Sequence, residues 1–385
     1  MSLDPAQRAA VARSAAQALR DAAGRPPTPV LVGFDGFIDA IAEVVDVRYD
    51  EDHHKPMDTI ATFGGRVAAA AGKSSNFELV VKTRKIGGNG PIMALALAKA
   101  GLGVTYVGNL GVPAPDPVFE PLQDLAHAVY SVAPAGATDA LEFEDGKLML
   151  GKHSMLGEIT AERIRQTVGD EVYDHAGAHA RLIAMVNWTM LPHMNAIWED
   201  LRDKVLPQSE HRPWVFIDLA DPAKRTADDL KTALELAGTL QARANVAMGF
   251  NLSESVQAAG ALGVEIDGDA EAAIETTARA LRERLGVSAV VVHPRSSAAA
   301  AIKGDDGEVA SARFAGPWVG KPKLSTGAGD NFNAGFSHGL VLGLDVAQCL
   351  CLGVGTSGFY VREARSPTRE ELADFCANLP EPEGG

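Results

Sequence analysis

Ser325-Thr326-Gly327-Ala328-Gly329-Asp330-Asn331-Phe332-Asn333-Ala334-Gly335-Phe336 is the stretch on which the reading of this chain turns. Small residues from Ser325 to Gly329 run straight into a segment of helical period, Phe332 to Leu342. The start of a helix leaves backbone N–H groups without partners and carries the positive end of the helix dipole. Glycines there let the backbone close round an anion with no Cβ in the way. Asp330 falls in the first turn, and a carboxylate beside an anion hole is repulsive unless it takes a proton from an attacking hydroxyl. Phosphoryl transfer has that geometry: amides hold the charge on the moving group while a carboxylate orients the nucleophile. The same residues also read as a capped helix after a turn, with Asp330 only stabilising the helix end.

Around this segment the chain alternates short apolar runs with helical stretches. Pro26-Pro27-Thr28-Pro29 ends an Ala-rich, amphipathic N-terminal helix, because consecutive prolines remove donors and force extended backbone. Val30–Phe34 then reads as a buried strand, and Leu79–Lys82, Val104–Gly108, Leu182–Val186, Val215–Leu219, Val246–Phe250 and Ala289–His293 read likewise. Helix-period segments lie between them: Pro91–Ala100, Ala196–Val205, Ala227–Leu240 and Ala270–Leu285. Such alternation predicts an α/β fold, a mostly parallel central sheet with helices on both faces. Two stretches break the rhythm. Ile41–Tyr49 alternates, and Ala140–Phe143 and Lys147–Leu150 flank an Asp-Gly turn, so a small antiparallel β lid is expected from about 40–58 and 138–153. A second hairpin is expected round Asp305-Asp306-Gly307, between Ala298–Ile302 and Val309–Arg313. The expected organisation is a helical extension over 1–29, one domain over 30–378, and a flexible Pro/Glu/Gly tail over 379–385.

Composition narrows the classes. With 385 residues and 46% hydrophobic content the chain can bury a sizeable core, and its apolar runs are too short and too often charged for a membrane span. Thirty-five Lys and Arg against fifty Asp and Glu leave a net charge of −15, a field that repels nucleic acid. Only three cysteines occur, none in a C-x-x-C pair, and the N-terminus lacks the apolar core of a signal peptide. A cytoplasmic location is the expectation.

The run Thr326–Asp330 resembles the nucleotide-loop signature of the ribokinase-like (PfkB-type) carbohydrate kinases, and further segments fall in that family's order from about Val30 to Phe375. The resemblance implies a Rossmann-like domain with a small β lid, ATP as phosphoryl donor, Mg²⁺, and a sugar or nucleoside hydroxyl as acceptor. A monovalent cation is a further candidate cofactor, and pairing of lids in a homodimer a candidate assembly. By the same resemblance Asp330 is the catalytic base, and Gly327, Ala328 and Gly329 supply the anion-hole amides.

Supporting segments carry the remaining candidates. Gly33-Phe34-Asp35-Gly36-Phe37-Ile38-Asp39 follows the first strand, where ligands of α/β sheets sit, and a carboxylate accepts two hydroxyl hydrogen bonds. Asp39 matches the family's sugar-binding aspartate best, with Asp35 as a second contact. Lys85-Ile86-Gly87-Gly88-Asn89-Gly90-Pro91 resembles the family's first signature, so Gly87, Gly88 and Asn89 join the substrate set; Ile92 stands where the family often has Asn. Asn251-Leu252-Ser253-Glu254 resembles its Asn-x-x-Glu motif, which places Asn251 and Glu254 at the nucleotide, Glu254 holding Mg²⁺ through water. Read without the resemblance, the four residues form a capping box. Arg295, Thr326, Gly327, Gly329 and Asn333 complete the expected nucleotide contacts, although His293, Arg295 and Ala298 replace the family's Thr-x-Gly-x-x-Gly positions and Leu324 replaces an Asp. A nucleoside kinase, an ADP-dependent sugar kinase and a non-catalytic binding protein stand as alternatives on this scaffold. The His53-His54 pair reads as a solvated lid loop, not a metal site.

Overall fold

Val30 and Val32 point to one face of the first strand and Leu31 to the other, and both faces are dry. That alternation, repeated along Leu182–Val186, Val215–Ile217, Val246–Met248 and Ala289–Val292, divides the interior into two cores on either side of one sheet. The computed structural model describes residues 3–304 and 306–382. Asp305 in the expected hairpin turn and residues 383–385 of the expected tail lie outside them.

In chain order the strands are β1 (Pro29–Phe34), β2 (Phe37–Arg48), β3 (His54–Pro56), β4 (Leu79–Gly87), β5 (Gly103–Gly108), β6 (Ala128–Ser131), β7 (Gly136–Phe143), β8 (Gly146–Lys152), β9 (Leu182–Val186), β10 (Trp214–Asp218), β11 (Asn245–Phe250), β12 (Ala289–Val292), β13 (Ser297–Lys303) and β14 (Val309–Ala315). The main sheet runs β14-β13-β12-β11-β10-β9-β1-β5-β6. From β12 to β6 all pairings are parallel, and the expected hairpin β13–β14 closes one edge antiparallel. Helices 161–168, 170–179, 194–200, 227–239, 252–262 and 274–285 cover one face; helices 5–21, 89–99, 328–341, 346–363 and 369–377 cover the other.

Two expectations need correction. The strand predicted at Leu79–Lys82 is β4, and it belongs to the lid: Ile38, Asp39 and Glu43 of β2 pair antiparallel with Ile86, Lys85 and Val80. Its side chains are largely exposed, unlike the continuous buried run of a central strand. The lid therefore comprises β3-β2-β7-β8 with β4 on β2, and it starts from the carboxyl edge of the main sheet, where Phe37 pairs with both Gly87 and Gly136. The second correction concerns the termini. Ala12, Ala15, Ala16 and Leu19 of the first helix are built into the second core, so this helix is a layer of the domain and not an appendage. Arg8 reaches the tail, its guanidinium donating to the Pro380 carbonyl at 2.7 Å and pairing with Glu381 at 3.1 Å.

Arg369 ties the same layer together. Its guanidinium donates to the carbonyls of Ala100 (2.8 Å), Ala22 (2.9 Å) and Gly101 (2.9 Å), filling acceptors left at two helix ends. Arg369→Ala strands these carbonyls, and hydrogen bonds to charged groups contribute about 1.5–3 kcal/mol each. Allowing for water at the rim, the variant should lose about 2–4 kcal/mol in chemical denaturation. Turnover per folded molecule should stay unchanged.

Candidate active site

The carboxyl edge of the sheet is marked by backbone that ordinary residues avoid. Asn187 after β9 (φ 64°), and Ala220 (φ 57°) and Asp221 (φ 58°) after β10, are non-glycine residues in the left-handed region. Such conformations cost free energy and persist where surrounding contacts enforce them. Here they turn the chain round a set of buried carboxylates: Asp35, Asp218, Glu254 and Asp330 are 0, 6, 4 and 8% exposed.

Asp35 organises one half of this set. Its Oδ1 accepts the Gly90 amide at 2.7 Å; its Oδ2 accepts the Asn89 amide at 3.0 Å and Asn187 Nδ2 at 2.6 Å. Burial raises its pKa to about 6 against the opposing pull of these donors. With no exposure and three internal donors, Asp35 fixes the glycine turn. The turn in turn holds Asp330: Asn89 Nδ2 donates to Asp330 Oδ1 at 2.8 Å. Burial, then the charge of Asp218, pushes the Asp330 carboxyl well above the ordinary range; Asn89 opposes this, and Asp35 and Glu254 add to it.

Asp39 stands on the lid root. Cross-strand pairing sets it opposite Lys85 on one side and Thr138 on the other. Burial raises its pKa, while Lys85, Thr138 and Lys147 pull it down. An added Cβ at Gly87 would lie 2.5 Å from Asp39 Oδ1, so only glycine lets the carboxylate lie across the turn. The fold thus brings Asp39 against the glycine turn Gly87, Gly88 and Asn89.

Gly327 caps the helix Ala328–Val341 in the left-handed region (φ 92°, ψ 0°). The Gly327 carbonyl accepts both the amide and the Nδ2 of Asn331, at 3.0 and 2.9 Å. Ala328 N–H, expected in the anion hole, donates instead to the Ser325 carbonyl at 3.1 Å, because the tight turn folds it inward. The amides of Gly327, Gly329 and Asp330 have no protein acceptor among the described residues, and Gly329 is exposed. The amides left open at this helix start are therefore those of Gly327, Gly329 and Asp330, and the Asp330 side chain is buried.

Asn333 is fully buried and donates to Asp218 Oδ2 at 2.7 Å, so it positions that carboxylate. Asn251 and Glu254 form the capping box that local sequence suggested: Asn251 accepts the Glu254 amide at 3.0 Å, and Glu254 Oε2 accepts the Asn251 amide at 2.8 Å. Glu254 does more than cap, since Oε1 also accepts the Asp221 amide at 2.9 Å. Asp218 and Glu254 are both held above the usual carboxylate range, by burial and, for Glu254, by Asp218. Among the described residues no lysine or arginine pairs with either. Carboxylates in that state suit Mg²⁺, which takes oxygen ligands and keeps several waters.

Arg295 is exposed on the turn after β12, with no ion pair among the described residues. His293 beside it stacks on Phe332 at 4.5 Å, and burial lowers its pKa to about 4. Thr326 presents its carbonyl to the Tyr360 hydroxyl at 2.8 Å. Sequence reasoning missed Tyr360 and the role of Asn187; the only signal was an Asn closing a strand. His53 pairs with Asp50 in solvent, whereas His54, expected in the same solvated loop, opens β3 and pairs with Glu43 with its own side chain only 10% exposed. No helix among the described residues is long and apolar enough to cross a membrane.

Comparison with known proteins agrees with this geometry. Residues 3–379 match the family described as prokaryotic ketohexokinase. The chain is 30% identical over 351 residues, 90% of each chain, to a ketohexokinase of Haloferax volcanii. Among solved structures, a carbohydrate kinase from Agrobacterium tumefaciens superposes with a TM-score of 0.61 at 18% identity, covering 92% of this chain and 98% of the other. A ribokinase from Thermotoga maritima superposes at 0.59 with 16% identity, covering 91% and 99%. With two cores on one mostly parallel sheet, a strand-built lid and a buried carboxylate beside open amides, the chain belongs to the prokaryotic ketohexokinase family and is a sugar phosphotransferase of the ribokinase fold.

Proposed function

We propose that the chain transfers the γ-phosphoryl group of ATP to a hydroxyl of a ketohexose. The observation that carries the reaction is the join between sugar turn and base, Asn89 Nδ2 on Asp330 Oδ1, beneath the amides of Gly327, Gly329 and Asp330. The ketohexose is suggested by the family and by the Haloferax volcanii relative.

Asp39, with Gly87, Gly88 and Asn89, accepts and donates hydrogen bonds to the sugar, and the lid excludes water from the transfer. Asp330 draws the proton from the attacking hydroxyl; a carboxylate whose proton affinity is raised by burial is the better base once ionised. The amides of Gly327, Gly329 and Asp330 stabilise the charge on the moving group, and Thr326 and Arg295 line the donor's approach. Mg²⁺, held through waters by Glu254 with Asp218 behind it, supplies positive charge against the phosphates when bound. Lid pairing between two copies is supported by Val81, Met149 and Leu150, which stand 52, 48 and 49% exposed on the lid.

A substrate panel tests this directly. Fructose with ATP should give ADP at a rate well above aldoses, nucleosides, or ADP as donor. Asp330→Asn should cut turnover by at least about 10²–10³-fold while ATP still binds; near-normal turnover in that variant defeats the assignment. Gly87→Ala pushes against Asp39 and should raise the sugar KM by about tenfold, with ATP KM little changed.

The acid cluster also predicts a pH signature. Asp218 and Glu254 hold protons more tightly folded than unfolded. Their contribution to stability is fully present below the unfolded value of about 4 and is lost as pH rises through the raised values. Metal-free protein should therefore lose thermal stability between about pH 5 and pH 8. Added MgCl₂ should restore more of it at the upper end, and Glu254→Gln should flatten the slope. Thermal melts across pH, with and without Mg²⁺, check all three.

A further inference from the structure

We propose that Tyr360 is a positioning residue of the phosphoryl-binding hole, acting by withholding the Thr326 carbonyl from the Asp330 amide. This rests on the kinase reading of the loop given above.

In a continuing helix, the N–H of residue i bonds to the carbonyl of residue i−4. For Asp330 that carbonyl belongs to Thr326. Had the helix begun one turn earlier, Thr326 would take the Asp330 amide and remove it from the hole. Instead the Tyr360 hydroxyl donates to the Thr326 carbonyl at 2.8 Å, and the first helical bond of the series is Asn331 to Gly327, at 3.0 Å. The Asp330 amide is left without a protein acceptor.

The surroundings fix the tyrosine for this task. It lies on the helix Val346–Glu363, is 7% exposed, and its hydroxyl lies 2.8 Å from where a Gly327 Cβ would stand. Ile92 borders the same point, its Cδ1 and Cγ2 each 3.3 Å away. A Cβ at residue 327 would therefore clash with the phenol oxygen and press on the aliphatic chain. Burial, then the charges of Asp330 and Asp39, keep the phenol protonated and so a donor. Tyr360 thus sits by both the base and the sugar carboxylate without contacting the reacting atoms.

Tyr360→Phe removes one oxygen and keeps the packing. Freed of its donor, the Thr326 carbonyl can turn to the Asp330 amide, which closes part of the hole. The expected result is a fall in kcat of roughly tenfold or more. The sugar KM should stay within about twofold and the melting temperature within a few degrees, as for a change felt mainly in the transition state. MgADP with aluminium fluoride, a mimic of the transferring group, should lose about the same factor in affinity, while MgATP should lose far less. A kcat within twofold of the parent, or a loss matched by unfolding or by a raised sugar KM, overturns the proposal. Asp330→Asn run alongside separates the two readings. If Asp330→Asn stays active, the kinase reading of the loop fails; if it is inactive while Tyr360→Phe is normal, only the role of Tyr360 fails.

Discussion

The buried carboxylate of Asp35 is the constraint from which the rest of the site is assembled. It belongs to the segment between β1 and β2, yet its three donors come from the glycine turn, at Asn89 and Gly90, and from the end of β9, at Asn187. A buried carboxylate left unpaired would be severely destabilising, so these donors are not optional once Asp35 is inside. Asn187 adopts φ 64° to bring its amide within 2.6 Å, and the turn is held with its own side chain aimed at Asp330. Three strand ends and the catalytic helix are thereby locked in one geometry. The lid root at Phe37 and Gly87 starts within two residues of the same turn.

The second half of the site is built on repulsion. Burial raises the proton affinity of Asp218, Glu254 and Asp330, the charge of Asp218 adds to it at both of the others, and among the described residues Asn333, Asn89 and backbone amides stand against it. A fold selected for stability alone would pair these acids or remove them. Their retention makes sense if the missing positive charge arrives with the nucleotide, because the ligand then recovers the free energy that the empty cleft lacks. Binding and stability are coupled in the acids themselves, which is the usual trade at a functional site.

Most of the scaffold was legible because it rests on local pattern. Buried runs such as Leu182–Val186 and Asn245–Phe250 declared themselves as central strands, and the small residues before Phe332 declared a helix start. The failures share one cause. Whether β4 joins the main sheet or the lid depends on its partner in β2, forty residues away, and not on its own composition. Whether Ala328 or Asp330 offers its amide depends on which carbonyl is engaged elsewhere, and Tyr360 decides that from another helix. The burial of Asn333 against Asp218 and of Asp35 against the glycine turn could not be read from spacing either.

Ile92 shows how the departure from the family pattern is absorbed. The resemblance implies an Asn at that position. Here an aliphatic side chain instead borders Gly327 together with the Tyr360 hydroxyl. Three residues earlier Asn89 supplies an amide side chain, and it bonds to Asp330 at 2.8 Å. The sugar turn and the phosphoryl loop become one packed unit, so a displacement of either is felt by the carboxylate between them.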